Sequence, residues 1–296
     1  MKDINEEVMA LKSEIERIDR LVKTSIESEI KKSCKELMGQ YFTPGNVIDM
    51  MIEILNPLPS EIIVEPSSGC GNILIHLHSY FYRRYKEYNG NINGIEIDKR
   101  LIEVSNLIHE RLNFSSKVEC GDALQVKELN DSVDVIIGNP PFGKHVSLNY
   151  NDFLTDSRTV KTLDKQINNN ERIEVLFLKK CVNMLKEGGR MGLVLPDGIL
   201  GNDGNTNMRK WLLQQGQIIA IVSLPIETFM PFTSVKTSAL FFKKTKQNNQ
   251  CYRIFMAIAE TCGHDRRGNK TSDDDVMQIA EEYRKWNLGN QCSQEL

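Results

Sequence analysis

Apolar residues recur near the start of the chain at Ile4, Val8, Leu11, Ile15, Ile18 and Val22, in steps of four, three, four, three and four. That spacing predicts an amphipathic helix with a narrow, coiled-coil-like seam. Ile26, Ile30 and Cys34 continue it at steps of four, while Glu14, Glu16, Arg17, Asp19 and Arg20 fill the other faces. Such a seam suits a helix packed on its own domain or one that meets a partner subunit. From residue 61 the period changes. The runs "EIIVEP", "NINGIEI", "KVEC", "DVIIGNP", "GGRMGLVLP", "IIAIVSLP" and "VKTSALFFKK" read as seven strands. Helical patterns fall between them, in "ILIHLHSYFYRRY", "DKRLIEVSNLIHERL" and residues 171–187. Strands alternating with helices predict an α/β fold: a Rossmann-like, seven-stranded, mostly parallel sheet with helices on both faces. Residues 246–296 are more polar and contain "HDRRGNKTSDDD". They are expected to form a tail, a possible subunit contact, with one short helix near 273–285. The chain thus divides into an N-terminal helical segment (1–38), a main domain (39–245) and that tail.

Composition narrows the picture. With 296 residues, 40% hydrophobic and 26% charged, the chain can build a full core and is not of the disordered class. Its net charge of -3 is less basic than a free-standing nucleic-acid binder usually carries. DNA binding would need a local patch or contacts from a partner. Seven scattered cysteines without a CxxC pair point to reduced thiols, not a disulfide scaffold. The five histidines lack metal-ligand spacing, so no metal is expected, and His76 and His78 read as packing or surface residues. The N-terminus is charged, and no run approaches the ~18 apolar residues of a membrane span. A cytoplasmic protein without membrane contact is expected.

The candidate chemistry sits where strands end, which is where open α/β sheets bind ligands. "VEPSSGCGN" follows the first strand, with Glu65, Pro66, Ser67, Gly69, Gly71 and Asn72. Its glycines permit a tight turn and close backbone approach. Position 74 is Leu where the dinucleotide fingerprint has a third glycine, and no Walker A lysine occurs. Glu65 would repel a phosphate and attract an ammonium. Glu96 ends the second strand, placed to accept from two ribose hydroxyls, and Asp122 follows the third, placed to accept from an adenine amine. Three acids after a glycine loop describe a pocket for an adenosine with a positively charged tail, which fits S-adenosylmethionine. Upstream, in "GQYFTPGNV", Tyr41 and Phe42 could cover one side of that pocket, and Thr43 could serve there or cap the next helix.

These segments resemble the amino-methylating DNA methyltransferases, and more narrowly the adenine-N6 modification subunit of type I restriction systems. The likeness covers about residues 39–245 and six segments in family order: "GQYFTP", "VEPSSGCGNIL", "GDA", "NPPF", "VLPDGIL" and "SLPIETFMPFTSVKTSALFFKK". It implies a class I S-adenosylmethionine-dependent methyltransferase fold. It also implies cofactor contacts from Gln40, Tyr41, Phe42 and Thr43, from the Glu65–Asn72 loop, from Glu96 and Ile97, from Asp122 and Ala123, and from Asn139. Family loops commonly read DPACGTGGF. Here Glu65 stands for the aspartate and Asn72 for the second glycine of the GG pair. Only about 38 residues precede the first family segment, so a compact version is expected. No zinc-finger spacing or clear DNA-reading helix pair is evident. The resemblance assigns sequence choice to a separate specificity subunit, within a multi-subunit complex on double-stranded DNA that a restriction nuclease subunit could join.

Asn139, Pro140, Pro141 and Phe142 would carry the reaction. The Asn139 side-chain oxygen and the Pro140 carbonyl can accept the two protons of an exocyclic amine, and the prolines hold them with little slack. Phe142 can stack on an extruded base. The polar stretch 143–172 is a candidate closing loop, with Lys144 and His145 as candidate phosphate contacts. Asn-Pro-Pro also suits cytosine N4, RNA adenine or a protein glutamine amide. Phe142, "GQYFTP" and the "SLP…FFKK" segment favour DNA adenine. A non-catalytic scaffold subunit is the other alternative.

Overall fold

A computed structural model describes residues 42–86, 90–112, 114–142, 172–246 and 252–292. The N-terminal seam, Gln40, Tyr41, Lys144 and His145 lie outside the described residues.

The first helix, α1 (Gly45–Leu55), buries Val47, Ile48, Met50, Met51, Ile52, Ile54 and Leu55. So wide an apolar surface needs cover on more than one side. It receives the sheet at β4 (Val133–Gly138) and β5 (Leu185–Pro196), together with α2 (Asn72–Tyr85) and α7 (Asp275–Cys292). Asn56, in the left-handed conformation, ends the helix by donating its N–H to the Ile52 carbonyl. β1 (Ile62–Glu65) and β4 are β-branched-rich and nearly wholly buried, and each stops at or just before a proline, which has no N–H for the ladder. Between them come β2 (Asn91–Glu96), α3 (Lys99–Leu112) and β3 (Lys117–Cys120). After β4 follow α4 (Ile173–Met184), β5, α5 (Asp197–Gly201), α6 (Thr206–Gln215), β6 (Gly216–Ser223) and β7 (Thr237–Lys244).

With β8 (Phe255–Ile258) added, the sheet order is β3-β2-β1-β4-β5-β7-β6-β8. Strands β1 to β5 pair in parallel, and β7 runs antiparallel to both β5 and β6. Two cores flank it, one under α1, α2 and α7, the other under α4 and α6.

Among the described residues the sheet has eight strands, not the seven expected. The eighth, β8 (Phe255–Ile258), comes from the segment read as a polar tail. It alternates: Phe255 and Ala257 pack toward Tyr283 and Trp286 of α7, while Met256 and Ile258 are each 72% exposed. The apolar run Ile254–Ala259 that signals it stands alone in a polar segment, between the charged Arg253 and Glu260. The same segment adds the hairpin β9 (Cys262–His264) and β10 (Lys270–Asp274), and α7 is longer than the short helix expected. Its Val276, Ile279, Ala280 and Tyr283 are part of the core. His76 and His78 are packing residues: His76 pairs with Asp49 at 2.8 Å, and His78 lies fully buried against Ser116 and Phe114.

Arg190 locks β5 to the end of α1. Its guanidinium donates to the Leu55 carbonyl at 2.6 Å, to the Asn56 carbonyl at 3.0 Å, and to both Glu61 oxygens at 2.7 and 2.8 Å. Replacing it leaves helix-end carbonyls and a carboxylate short of donors. We expect Arg190→Met to lower the unfolding free energy by about 2–3 kcal/mol. Urea denaturation should read this as a lower midpoint at unchanged slope.

Candidate active site

The sheet changes direction beside β1. The chain runs from β1 out to β2 and β3, then returns to place β4 on the other edge of β1. Loops leaving β1 and β4 diverge, and open α/β sheets form a ligand crevice at such a point. The predicted glycine loop, the acids after β2 and β3, and the Asn139–Phe142 turn all emerge at this rim.

After Pro66 the loop turns through Gly69 (φ 54°) and Gly71 (φ 80°), conformations that favour glycine. A β-carbon on Gly69 would meet nothing within 4 Å, whereas one on Gly71 would lie 2.4 Å from Ser105 Oγ. The loop is therefore open on one side and closed on the other. Two glycines that sequence reading passed over let the loop settle on the sheet. A β-carbon on Gly94 would lie 2.7 Å from Ser68 Oγ, and one on Gly138 would lie 3.3 Å from Pro66 Cδ. A glycine inside a strand run often marks such close approach, and that signal was present in "NINGIEI" and "DVIIG".

Glu96 organises the rim. Its Oε2 accepts from the Gly69 N–H at 2.7 Å, and its Oε1 accepts from Ile97 and Asp98 at 2.8 and 2.9 Å. Burial raises its pKa, and these amides pull it down. Ile97 is half-buried, and Ala123 points into the core with Val64 and Ile95. Ser67 Oγ donates to the Asn139 carbonyl at 3.3 Å, which joins the glycine loop to the Asn-Pro-Pro turn. Asn72 has a structural use for its extra amide: Nδ2 donates to the Thr43 carbonyl at 3.3 Å. It fastens the upstream segment to the loop. Thr43 does not cap the helix, because the N-cap is Pro44 and no side chain bonds there. Phe42 packs against Cys70 and Leu101, over the loop.

Two acids hold oxygens in reserve. Glu65 is buried, its Oε2 has no hydrogen-bond partner, and burial together with the nearby Glu96 pushes its pKa well above the usual carboxylate range. Asp122 Oδ1 accepts from the Leu124 N–H at 3.0 Å, while Oδ2 makes no hydrogen bond of ordinary geometry, although the Gln125 amide stands near enough to favour the ionised form. Burial lifts its pKa to about 6. Buried orphan acceptors call for donors or a cation. The ammonium, ribose hydroxyls and adenine amine of S-adenosylmethionine are donors of that kind, so the residues present fit this group.

On the other side of the crevice Pro140 is buried and Asn139 and Pro141 are partly exposed. Phe142 is 9% exposed and meets Phe229 edge-on, with ring centroids 6.2 Å apart and planes at 88°. Its ring is thus part of a wall, more enclosed than the open stacking face expected. Phe229 closes a short turn, Ile226–Phe229, after β6. The sequence does not single it out, since the two phenylalanines of "PIETFMPF" carry no spacing signal. Among the described residues, no group of three or more His, Cys, Asp and Glu side chains could hold a metal ion.

With this geometry the chain matches the N-6 DNA Methylase family over residues 27–295. It belongs to that family. Among characterised members, it is 28% identical over 228 residues to the methylase subunit of the type I restriction enzyme EcoEI from Escherichia coli, covering 72% of this chain and 44% of that one. The chain thus spans under half the length of that relative. Among solved structures, it is similar to a Listeria monocytogenes protein assigned to the class I S-adenosylmethionine-dependent methyltransferases, with a TM-score of 0.66 at 18% identity, covering 92% of this chain and 79% of that one. It is similar also to the M protein of the type I restriction enzyme EcoKI, with a TM-score of 0.63 at 21% identity, covering 82% and 53%. These likenesses show the class I methyltransferase fold.

Asp122 gives a prediction with a definite sign. Its folded-state pKa lies above the unfolded value, so the native state binds the proton more tightly. Ionised burial then costs stability above pH about 6, and that cost fades as pH falls toward 4. Asp122→Asn should stabilise the ligand-free protein at pH 7.5 by about 1 kcal/mol, visible as a higher melting temperature. The gain should vanish near pH 4, while cofactor affinity at pH 7.5 falls about tenfold.

Proposed function

We propose that this chain transfers a methyl group from S-adenosylmethionine to the exocyclic N6 amine of an adenine flipped out of double-stranded DNA. It would act as the modification subunit of a restriction-modification system, in the cytoplasm, with sequence choice supplied by a separate specificity subunit. The observation that carries the reading is the Ser67–Asn139 bond. It joins an acid-lined glycine loop to an Asn-Pro-Pro-Phe turn at the point where the sheet reverses.

The cofactor, when bound, supplies an electrophilic methyl carbon on a positively charged sulfur. Glu65, Glu96 and Asp122 would meet its ammonium, ribose hydroxyls and adenine, and Gly69 would offer an approach without a side chain. By the resemblance, Gln40, Tyr41, Phe42 and Thr43 would contact its methionine part. An exocyclic base amine is a weak nucleophile because its lone pair is delocalised into the ring. The Asn139 side-chain oxygen and the Pro140 carbonyl would accept hydrogen bonds from its two N–H groups and favour the pyramidal nitrogen of the transition state over the planar ground state. As the N–C bond forms the S–C bond breaks to leave a neutral thioether, and one amine proton is lost to solvent. Pro140 and Pro141 keep those acceptors in place, so alignment is prepaid. Phe142, with Phe229 at its edge, lines the place of the flipped base.

The names of the relatives support the setting. The EcoEI protein is a type I methylase subunit, and so is that of EcoKI from Escherichia coli K12, at 27% identity. The net charge of -3 accords with DNA affinity shared across a multi-subunit complex, which a nuclease subunit could complete. Asn139→Ala should reduce methyl transfer at least about 100-fold with cofactor binding retained. Near-normal turnover in that variant would remove Asn139 from the chemistry. Incubation with labelled cofactor and DNA, with and without the specificity subunit, should yield N6-methyladenine only in the complex. Recovery of N4-methylcytosine, or of label on RNA or protein, would overturn the adenine assignment. Site-specific methylation by the chain alone would overturn the need for a partner.

A further inference from the structure

Behind the glycine loop, on the side away from its open face, lies a buried polar pair that the proposed chemistry does not use. Ser105 and His109 sit one turn apart on α3, with Ser105 Oγ 3.4 Å from His109 Nδ1, and both are almost wholly buried. They press directly on Gly71. A β-carbon there would lie 2.4 Å from Ser105 Oγ, 2.8 Å from His109 Cε1 and 3.2 Å from His109 Nε2. The imidazole has little room to retreat. Phe114 and His78 stand around it, at ring-centroid distances of 6.3 and 6.4 Å, and His78 is itself stacked on Phe114 at 4.2 Å.

What rests on this floor matters. Gly71 is the N-cap of α2. Its N–H donates to the Ser68 carbonyl at 2.8 Å, and its own carbonyl accepts from Ile75 at 3.1 Å. Its position therefore fixes both the loop and the first turn of the helix. A filler chosen for packing alone would be apolar. Instead His109 Nε2 is buried without a hydrogen-bond partner, an arrangement that costs stability. Such a cost kept beneath a binding loop fits a residue held for function.

We propose that Ser105 and His109 are positioning residues that set the height and tilt of the Gly69–Gly71 turn and thereby the affinity for the cofactor. The inference rests on the reading of this loop as the S-adenosylmethionine site. Burial, with His78 nearby, lowers the His109 pKa to about 4. The floor is therefore neutral at ordinary pH, and no positive charge stands behind a loop that receives a cation.

The test measures S-adenosylmethionine binding by calorimetry, beside thermal stability, for the full chain and its variants. His109→Leu fills the space but cannot keep the ring's flat contact or its pairing with Ser105. It should weaken binding about tenfold while the melting temperature holds or rises, because an orphan nitrogen is removed. His109→Gln, which keeps a polar planar group, should recover most of the affinity. Gly71→Ala should abolish binding, and adding Ser105→Ala should restore part of it, a coupling that independent sites do not show. If His109→Leu fails to fold, Ser105→Ala and the Gly71 cycle decide the matter. Unchanged affinity in folded variants, or additive effects in the cycle, would overturn the positioning role while leaving the cofactor site standing. Failure of the wild-type chain to bind the cofactor would instead overturn the reading of the site, and this inference with it.

Discussion

The carboxylate of Glu96 is the contact on which the site's geometry depends. It ends β2, and three backbone N–H groups from two different loops converge on it. One comes from Gly69, so the acid that closes the second strand also holds the loop that follows the first. The other two start the turn into α3 and so place the helix that carries Ser105 and His109. Burying an anion is unfavourable, and three aligned amide dipoles offset that cost. Glu65 receives no such compensation and stays strained toward its protonated form. The two acids thus divide the work: one fixes the frame, and the other keeps an acceptor open.

Much of this was legible in the sequence, because the central strands β1 and β4 are buried on both faces. Such strands read as short apolar runs, and "DVIIG" and "EIIVEP" could hardly be anything else. The acids and the Asn-Pro-Pro turn were legible for a related reason. They interrupt apolar runs at strand ends, where nothing in packing calls for them. β8 was not picked out because its apolar run, "IFMAIA", is isolated in a polar segment and bounded by Arg253 and Glu260. Gly94 and Gly138 were overlooked because the side chains they make room for, Ser68 and Pro66, are 26 and 72 residues away in the chain. The same holds for Ser105 and His109, which look like any helix surface until Gly71 is brought against them.

Asn72 and Thr43 show how a departure from a family pattern can be structural. In place of a second glycine the chain has an amide that reaches the Thr43 carbonyl. The loop loses some backbone freedom and gains a tie to the segment before α1. Thr43, which looked like a helix cap, serves through its backbone, leaving Pro44 to start the helix. Phe142 shifts in the opposite direction. Expected as an open stacking face, it lies partly within the core beside Phe229, so the two rings must be considered together.

The reversed direction of β7 has a consequence for how such a protein can diversify. Because β7 runs against its neighbours, its first residues lie at the same rim as the last residues of β4, β5 and β6. The connection from Leu224 to Lys236, which carries Phe229, therefore spans only that rim and need not cross the sheet. Nothing in β1, β2 or β3 depends on its length. Its exposed positions can change and so reshape the rim beside Phe142, while Phe229 stays in the core and the glycine-loop side is untouched. One antiparallel strand thus lets that side of the rim change without disturbing the strands that carry the glycine loop.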